Sequence, residues 1–410
     1  MTQTKIVNVA AGVLMRPDGH VLLAQRPAGK PYEGWWEFPG GKFEPGENAE
    51  IAVTRELEEE LGIRVQASSP WVVREHVYEH AHVRLYFRRI TAWEGEPRGR
   101  EGQALAWCAL DTVNLDPLLP ASVDLIRWLQ LPPVYAISNA AALGVDAWLG
   151  RLTQWLEQRA LSVPATGANV GALLQWANAT LGPLLLLREP DLPADTFQHL
   201  LTETLARAEG HGVRVMLSSR HPEQSVRLAA ERTGGGLHLT GADLRALVVA
   251  GRLALSGLTR PVPSHAHPAQ AGEVPQTGRL AQEKAMVPAG RPASPVRHVD
   301  DERALLAACG WAGRASAASL RRDYPLLAAS CHNTEDLRHA GNLQLDFSVC
   351  SPVLPTLSHP GEPVMGWDGL ARMLSLTPIP VYALGGMKPS HLPDALQAGA
   401  QGVAMQRGVW

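Results

Sequence analysis

The sequence has few cysteines, little net charge and no long hydrophobic run, and each shortage excludes a class of protein. Its four cysteines form no C-x-x-C pair and no regular framework, so we expect reduced thiols in a cytoplasmic protein. A formal net charge of -3 gives no broad basic surface, which argues against direct nucleic-acid binding. The longest purely aliphatic run, residues 184–187, is far too short to span a bilayer, so no membrane association is expected. The first 20 residues lack a basic start followed by a long apolar run, and therefore indicate a strand and not a signal peptide.

The pattern of the chain changes near residue 130. At 410 residues, two or three domains are expected. Residues 1–130 are rich in alternating strand patterns and contain one strong helix at about 48–61. The segment LQLPPVYAIS then restarts with a double proline and a new apolar strand, which indicates a boundary. We therefore predict domains at residues 1–130 and 131–410.

The second part of the chain alternates short apolar runs with helical patterns. The eight runs are VYAIS, PLLLLRE, VRVMLSS, GLHLT, PLLAAS, LQLDFSV, PVYALGG and GVAMQ. This alternation is typical of parallel β/α architecture, and eight units predict a (β/α)8 barrel. Residues 260–298 are full of Pro, Gly and Ala, so we expect a flexible insertion after the fourth strand.

Glutamates are concentrated in the segment GKFEPGENAEIAVTRELEEELGI, residues 41–63. On a helix, Glu59 lies about 60° to one side of Glu56 and Glu60 about 40° to the other, so the three share one narrow face. Like charges at this spacing repel. A merely solvated face does not need three acids on one edge, whereas converging oxygen ligands are what Mg²⁺ or Mn²⁺ requires. The spacing therefore favours a metal site over a charged surface.

The same segment resembles the Nudix box, G-x5-E-x7-R-E-U-x-E-E-x-G-U, where U is apolar. Every fixed position matches: Gly41, Glu47, Arg55, Glu56, Leu57, Glu59, Glu60, Gly62 and Ile63. The resemblance implies an α/β/α sandwich that hydrolyses nucleoside diphosphates linked to another moiety.

The resemblance also implies roles for individual residues of the box. Metal ligands would be Glu56, Glu59 and Glu60, and the carbonyl of Gly40 would add another. Structural roles are implied for Glu47 and Arg55, which would tie the loop to the helix, and for the glycines Gly41 and Gly62. The cofactor would be Mg²⁺, with Mn²⁺ as an alternative.

Residues outside the box resemble the MutT type, which clears oxidised guanine nucleotides. The segment WEGEPRGREGQALAW implies that Glu101 is a further metal ligand or the base. Arg26 matches a basic residue near the nucleotide phosphates, and Phe38, in the EFPGGK segment that leads into the box, is expected to bind substrate. Tyr78 is an aromatic candidate for the base pocket, with packing as its alternative role. Ser122 stands where MutT proteins carry a purine-reading asparagine, with an ordinary helix N-cap as its alternative role.

The second part resembles thiamin phosphate synthase and its TenI relatives, through stretches such as GLHLTGADL and YALGGMKPSHLPDALQAGAQGVAM. A phosphate site is implied at five matching positions: Arg188, Asp243, Ser330, Gly385 and Gly386. The positions of a synthase's pyrophosphate and metal side chains hold other residues here: Pro190, Ser218, Ser219 and His359. Pro352 occupies the place of the TenI histidine. We therefore expect a barrel that binds a phosphorylated ligand or only stabilises the chain, without synthase activity.

Two functions follow for the whole chain. The first is an Mg²⁺-dependent pyrophosphohydrolase that converts 8-oxo-dGTP to its monophosphate and pyrophosphate, with an accessory barrel. The second is a thiamin-linked protein, in which the Nudix part trims thiamin-related pyrophosphates and the barrel binds a thiazole phosphate. The WEGEP and REGQ segments favour the first function, and the fusion of the two parts favours the second.

Overall fold

The computed structural model describes residues 6–79, 81–158, 181–254, 317–356 and 363–410, with the isolated positions 171, 173, 174, 177 and 361. The chain divides into two compact units, residues 1–245 with 317–410, and residues 246–316. All described strands lie in the first unit. The predicted insertion at 260–298 lies outside the described residues.

The first part of the chain forms two sheets and two helices. Its strands are β1 (Ile6–Leu14), β2 (His20–Gln25), β3 (Trp36–Glu37), β4 (Gly40–Lys42), β5 (Arg64–Val77), β6 (His82–Glu94) and β7 (Leu105–Ala109). Helices α1 (Ala49–Leu61) and α2 (Pro120–Trp128) complete this part. One sheet has the order β4-β1-β6-β5, with β1 parallel to β6 and the other pairs antiparallel, and the second has the order β3-β2-β7. This is the mixed α/β arrangement predicted for residues 1–130.

Helix α1 begins and ends at residues that favour helix termini. The Asn48 side chain accepts hydrogen bonds from the amides of Glu50 and Ile51, which caps the first turn. Gly62 ends the helix in the left-handed conformation, with φ of 72°. Val53, Leu57 and Leu61 form an apolar face that is buried against β1 and β6. The glutamates lie on the opposite edge of the helix.

The second part of the chain is a closed barrel of eight parallel strands, as predicted. These strands are β8 (Val134–Ile137), β9 (Leu184–Leu187), β10 (Arg214–Ser218), β11 (Gly236–Leu239), β12 (Leu326–Cys331), β13 (Phe347–Cys350), β14 (Val381–Ala383) and β15 (Gly402–Met405). Each corresponds to one of the eight apolar runs. The described helices are α3 (Ala140–Leu143), α4 (Val145–Gln158), α5 (Ala194–Glu209), α6 (Glu223–Thr233), α7 (Gly241–Ala254), α8 (Ala317–Asp323), α9 (Thr334–Asn342), α10 (Gly366–Leu374) and α11 (Leu392–Gln397), with a 3-10 turn at Pro389–His391. None of the described helices combines the length and apolar character that crossing a bilayer demands.

The two sheets contact the barrel at the amino-terminal ends of its strands. Gln401, directly before β15, accepts hydrogen bonds from Trp71 on β5 and Arg89 on β6. Asp346, directly before β13, forms an ion pair with Arg127 of α2, with Nη1 and Oδ1 2.7 Å apart. The carboxyl ends of the barrel strands, where ligands bind in this fold, therefore point away from this junction.

Candidate active site

The predicted metal ligands on α1 differ in burial. Glu56 and Glu60 are partly buried, whereas Glu59 is exposed. Burial, helped by the nearby charges of Glu56 and Glu101, raises the pKa of Glu60 to about 7. Burial also raises the pKa of Glu56, with Glu59 and Glu101 adding to the effect against Arg55. Both shifts disfavour the charged form of the carboxylate at this edge of the helix.

Arg55 connects this helix to the preceding loop. Its Nε lies 2.8 Å from Glu47 Oε1 and its Nη2 lies 3.0 Å from Glu47 Oε2, a two-point contact, and Nη2 also donates to the Lys42 carbonyl. Its Nη1 donates to Glu56 at 3.0 Å and to Glu59 at 3.1 Å. The guanidinium lowers the pKa of Glu47 to about 2. Arg55 thus ties the loop to the helix and also orients two of the candidate ligands.

A distant loop brings Glu101 to the same edge. The Arg100 amide and the Gln103 side chain both donate to the carbonyl of Glu60, at 2.9 Å and 3.2 Å. Gln103 also accepts from the Glu101 amide at 2.7 Å. Glu101 is thereby held within electrostatic reach of Glu56 and Glu60. The sequence did not indicate the part played by Gln103, although the REGQ segment contains it.

Lys30 is a second residue that the sequence did not single out. Its Nζ lies 2.6 Å from Glu101 Oε2. Its charge also lowers the pKa of Glu60 against the larger effect of burial. Lys30 lies in the loop after β2, which carries no regular pattern, so only the folded structure places this cation beside the carboxylates.

The carboxylates suit a hard divalent cation. Within the described residues, no group of three or more acidic, histidine or cysteine side chains is arranged to hold a metal ion as it stands. Burial above all, with neighbouring carboxylates adding to it, raises the pKa values of Glu56 and Glu60 at this edge. Oxygen donors of this kind are the ligands that Mg²⁺ and Mn²⁺ take in proteins. The chemistry of the donors therefore suits the predicted metal.

Gly41 is needed because Glu56 approaches the backbone closely. A Cβ atom at Gly41 would lie 2.2 Å from the Glu56 carboxyl carbon. Real Cβ atoms do not come this close to another heavy atom, so any side chain would displace the carboxylate. The neighbouring Gly40 pairs with Ala11 in the ladder between β4 and β1.

We expect Gly41→Ala to fold and to lose catalytic rate. The added methyl group displaces Glu56, and a misplacement of about 1 Å in an active site commonly costs roughly 100-fold in rate. Steady-state kinetics and thermal unfolding would be measured together. Gly150→Ala is the matched control, since a Cβ there meets no atom within 4 Å. Unchanged kcat in Gly41→Ala would show that the position of Glu56 does not matter.

The residues predicted to bind substrate lie in different local environments. Arg26 forms an ion pair with Glu37 at 2.5 Å and donates to the Pro31 carbonyl, so its guanidinium is already engaged. The Phe38 side chain is 3% exposed and packs edge-to-face against Phe87. The Phe38 ring is thus part of the core, and its role in substrate binding stays a prediction.

Tyr78 and Ser122 lie close to one another. Tyr78 packs edge-to-face against Tyr32, and its hydroxyl accepts a hydrogen bond from the backbone at Ala121. Burial above all, with nearby charges adding to it, raises the pKa of Tyr78 to about 12. Ser122 is buried in the first turn of α2, whose N-cap is Leu119. The alternative interpretation of Ser122 as the N-cap is therefore wrong, since the helix starts earlier, at Pro120.

In the barrel, four of the five predicted phosphate-site residues line one cavity of about 680 Å³. These are Arg188, Ser330, Gly385 and Gly386. Asp243 is not among the lining residues, because its carboxylate accepts hydrogen bonds from Ser219 and Thr240. Pro190, Ser218 and Pro352 also line the cavity, whereas His359 lies outside the described residues.

A carboxylate-bearing helix, bound by its own arginine to the preceding loop and set on a mixed α/β sandwich, is the arrangement of a Nudix-type hydrolase. Residues 5–129 match the NUDIX domain family, and residues 312–409 match the family described as thiamine monophosphate synthase. The chain belongs to the Nudix family and carries a thiamine-phosphate-synthase-like barrel. Both predicted resemblances are confirmed, and the protein is a hydrolase.

Relatives of known name match each part separately. The 8-oxo-dGTP diphosphatase of Escherichia coli (strain K12) is 37% identical over 126 residues, which are 31% of this chain and 98% of that protein. The CTP pyrophosphohydrolase of the same organism is 38% identical over 129 residues, 30% of this chain and 90% of that protein. A thiamine-phosphate-synthase-like protein of Geobacter sulfurreducens is 45% identical over 82 residues, 20% of this chain and 38% of that protein.

Proposed function

We propose that the chain hydrolyses oxidised purine nucleoside triphosphates, 8-oxo-dGTP above all, to the monophosphate and pyrophosphate. The activity would sanitise the nucleotide pool of the cytoplasm, which would limit mutation during DNA replication. The metal in this proposal is Mg²⁺, with Mn²⁺ as a substitute. The substrate is a free nucleotide, so neither a nucleic acid nor a membrane is needed as a partner.

The observation that carries the proposal is the meeting of Glu101 with Glu56 and Glu60. The Gln103 and Arg100 contacts hold the Glu101 loop against the end of α1, which gives a fourth carboxylate at the edge of the box. Sequence alone placed Glu101 there only by its resemblance to the MutT loop. The similarity to the 8-oxo-dGTP diphosphatase of Escherichia coli extends over nearly the whole of that protein and supports the same class of substrate.

The chemistry follows from charge. A phosphoanhydride is protected by its own negative charge, which repels an attacking water. A bound divalent metal neutralises the phosphates and lowers the pKa of a bound water. The chain's own residues orient the reaction: Arg55 holds Glu56 and Glu59, and the Gln103 loop holds Glu101. A carboxylate of this group that does not hold the metal would accept the proton of the water, as the water oxygen bonds to phosphorus and the P–O bond to the leaving pyrophosphate breaks.

Selectivity for the base depends on the Tyr78 and Ser122 region. Ser122 offers one hydroxyl where an amide would offer a paired donor and acceptor. The nearby Tyr78 hydroxyl is a second polar group on the same side. Two hydroxyl groups can recognise a purine edge, although with less geometric constraint than an amide.

The test is a substrate profile of the full chain with Mg²⁺. We expect kcat/KM for 8-oxo-dGTP to exceed that for dGTP and CTP by roughly tenfold or more, the range that a pocket built for one base edge can give. Thiamin diphosphate serves as the competing substrate, because the barrel family raises that alternative. A higher kcat/KM for thiamin diphosphate than for any nucleotide would replace the proposed function with the thiamin-linked one.

A further inference from the structure

The loop between β2 and β3, residues 26–35, contains a residue in an uncommon backbone conformation. Tyr32 has a φ of 60°, in the left-handed region, and among the described residues other than glycine it shares a positive φ only with Gln344. The Cβ of an L residue is crowded in this conformation, so the conformation persists only where the surrounding structure holds it. Such positions cluster at ligand sites and active sites, and Tyr32 is therefore a candidate for a role beyond packing.

Hydrogen bonds hold this loop on both sides of Tyr32. The Arg26 Nε atom donates to the Pro31 carbonyl at 2.6 Å, directly before Tyr32. The Trp35 amide donates to the Tyr32 carbonyl at 3.1 Å, and the Gly34 amide donates to the Arg26 carbonyl at 3.0 Å. These contacts fix the direction in which the Tyr32 side chain leaves the backbone.

The Tyr32 ring belongs to a cluster of three aromatic side chains. Its centroid lies 5.2 Å from that of Trp35 and 5.3 Å from that of Tyr78, and both pairs have edge-to-face geometry. All three residues are only partly buried, so part of the cluster is accessible to a ligand. Aromatic rings of this kind suit a nucleobase, because every base has a flat π face that packs on them.

Tyr78 connects this cluster to the region on which base selectivity depends. Its hydroxyl accepts a hydrogen bond from the backbone at Ala121, and its ring packs against His76 with the centroids 4.3 Å apart. Ser122 follows Ala121 in the first turn of α2. Tyr32 therefore contacts the side chain that lies next to Ser122.

The same loop also reaches the carboxylate edge of α1. Lys30 precedes Tyr32 by two positions, and its Nζ lies 2.6 Å from Glu101 Oε2. Two residues of chain span at most about 7 Å. A nucleotide with its phosphates at the carboxylates would therefore have its base within reach of the Tyr32 ring.

We propose that Tyr32 is a specificity-determining residue of the hydrolase, whose ring packs against the base of the bound nucleotide and favours purines over pyrimidines. This role rests on the proposed function, since it requires a nucleotide in the site. The two fused rings of a purine bring more apolar area to the contact than the single ring of a pyrimidine, and the free energy of such a contact grows with the area buried. The strained backbone holds the ring against Tyr78, so this wall of the base pocket is formed before the substrate binds.

The test compares the full chain with its Tyr32→Gly and Tyr32→Phe variants in steady-state hydrolysis of 8-oxo-dGTP, dGTP and CTP with Mg²⁺. Glycine adopts a φ of 60° without strain, so Tyr32→Gly removes the ring and keeps the loop backbone. We expect the KM for both purine nucleotides to rise roughly 10- to 100-fold, the usual effect of losing one contact between a base and an aromatic ring, with kcat within about twofold of the wild type. The KM for CTP should rise less, and Tyr32→Phe should resemble the wild type with every substrate.

Gln344→Gly is the matched control, because Gln344 is the other described non-glycine residue with positive φ and is exposed in the barrel part of the chain. A Tyr32→Gly loop that merely lost its shape would free Lys30 from Glu101 and lower kcat for every nucleotide. Such a result, an unchanged KM, or an equal rise in KM for CTP overturns the role of Tyr32. A wild type that hydrolyses no nucleotide overturns the proposed function as well, so the two failures are distinguishable.

Discussion

Glu60→Gln and Glu59→Gln are each expected to lower kcat by roughly 100- to 1,000-fold, the loss that follows removal of one preorganised electrostatic contact to a transition state. Glutamine keeps the size of the side chain and removes its charge, so the fold should survive. We expect kcat to fall further in Glu60→Gln than in Glu59→Gln. Glu60 is more buried, and the charges of Glu56 and Glu101 act on its carboxylate. Steady-state hydrolysis with a titration of Mg²⁺ and Mn²⁺ would show both the rate loss and the higher metal concentration needed for half-maximal activity.

Glu58→Gln is the control on the same helix. Glu58 is exposed, contributes no side-chain contact to Arg55 and lies on the opposite edge from the triad. Its substitution should leave kcat within about twofold of the wild type, as is usual for a surface residue without partners. Similar rates for all three variants, or full activity of the wild type in chelator, would show that the carboxylate edge is not a metal site.

The sequence predicts those features of the molecule that depend on a short repeat of apolar or charged residues along the chain. The burial of Val53, Leu57 and Leu61 follows from helical spacing, and the eight barrel strands follow from short apolar runs of similar length. The shared edge of Glu56, Glu59 and Glu60 follows from the same geometry. These features depend on residues a few positions apart, and the backbone period fixes them before any tertiary contact forms.

The parts that sequence could not predict depend on contacts between distant residues. Lys30 and Glu101 are 71 positions apart, and nothing around Lys30 marks it as a partner of the carboxylates. Phe38 could not be recognised as a core residue, because its position just before the box is equally suitable for a substrate contact. The N-cap interpretation of Ser122 was wrong because Pro120 starts the helix two residues earlier, and proline is well suited to a first helical position.

The contact between Arg89 and Gln401 gives the largest expected effect on stability. Arg89 is 2% exposed and carries its charge on a strand of the Nudix sheet. Its Nη2 lies 2.7 Å from Gln401 Oε1, its Nη1 lies 3.4 Å and 3.5 Å from the carbonyls of Ala400 and Gln401, and the guanidinium carbon lies 4.9 Å from the centre of the Trp71 ring. Burial lowers the pKa of Arg89 to about 9, which shows how costly this cation is where it lies.

Both polar atoms of the Gln401 side-chain amide form hydrogen bonds at the contact between the sheets and the barrel. Its Oε1 also accepts from Trp71 Nε1 at 2.8 Å, and its Nε2 donates to the Leu131 carbonyl at 2.7 Å. The same side chain therefore connects β5, β6, the chain segment after α2 and the start of β15. A fragment ending at residue 130 would lack Gln401 and leave Trp71 and Arg89 without these partners, so its stability should be lower than that of the same residues in the full chain.

Gln401→Ala is therefore expected to destabilise the full chain by about 3–5 kcal/mol, because it removes one hydrogen bond to a buried charge, worth about 1.5–3 kcal/mol, and two neutral ones of about 1 kcal/mol each. The substitution leaves the buried Arg89 charge with only two long contacts to carbonyls and leaves the Trp71 N–H and the Leu131 carbonyl unpaired. Chemical denaturation of the full chain measures the free energy of unfolding. Gln397→Ala is the matched control, because Gln397 is exposed on α11 only four residues earlier. Gln401→Glu restores an acceptor for Arg89 and should recover part of the loss. A change below about 0.5 kcal/mol in Gln401→Ala, the usual size for a surface substitution, would show that the junction does not stabilise the protein.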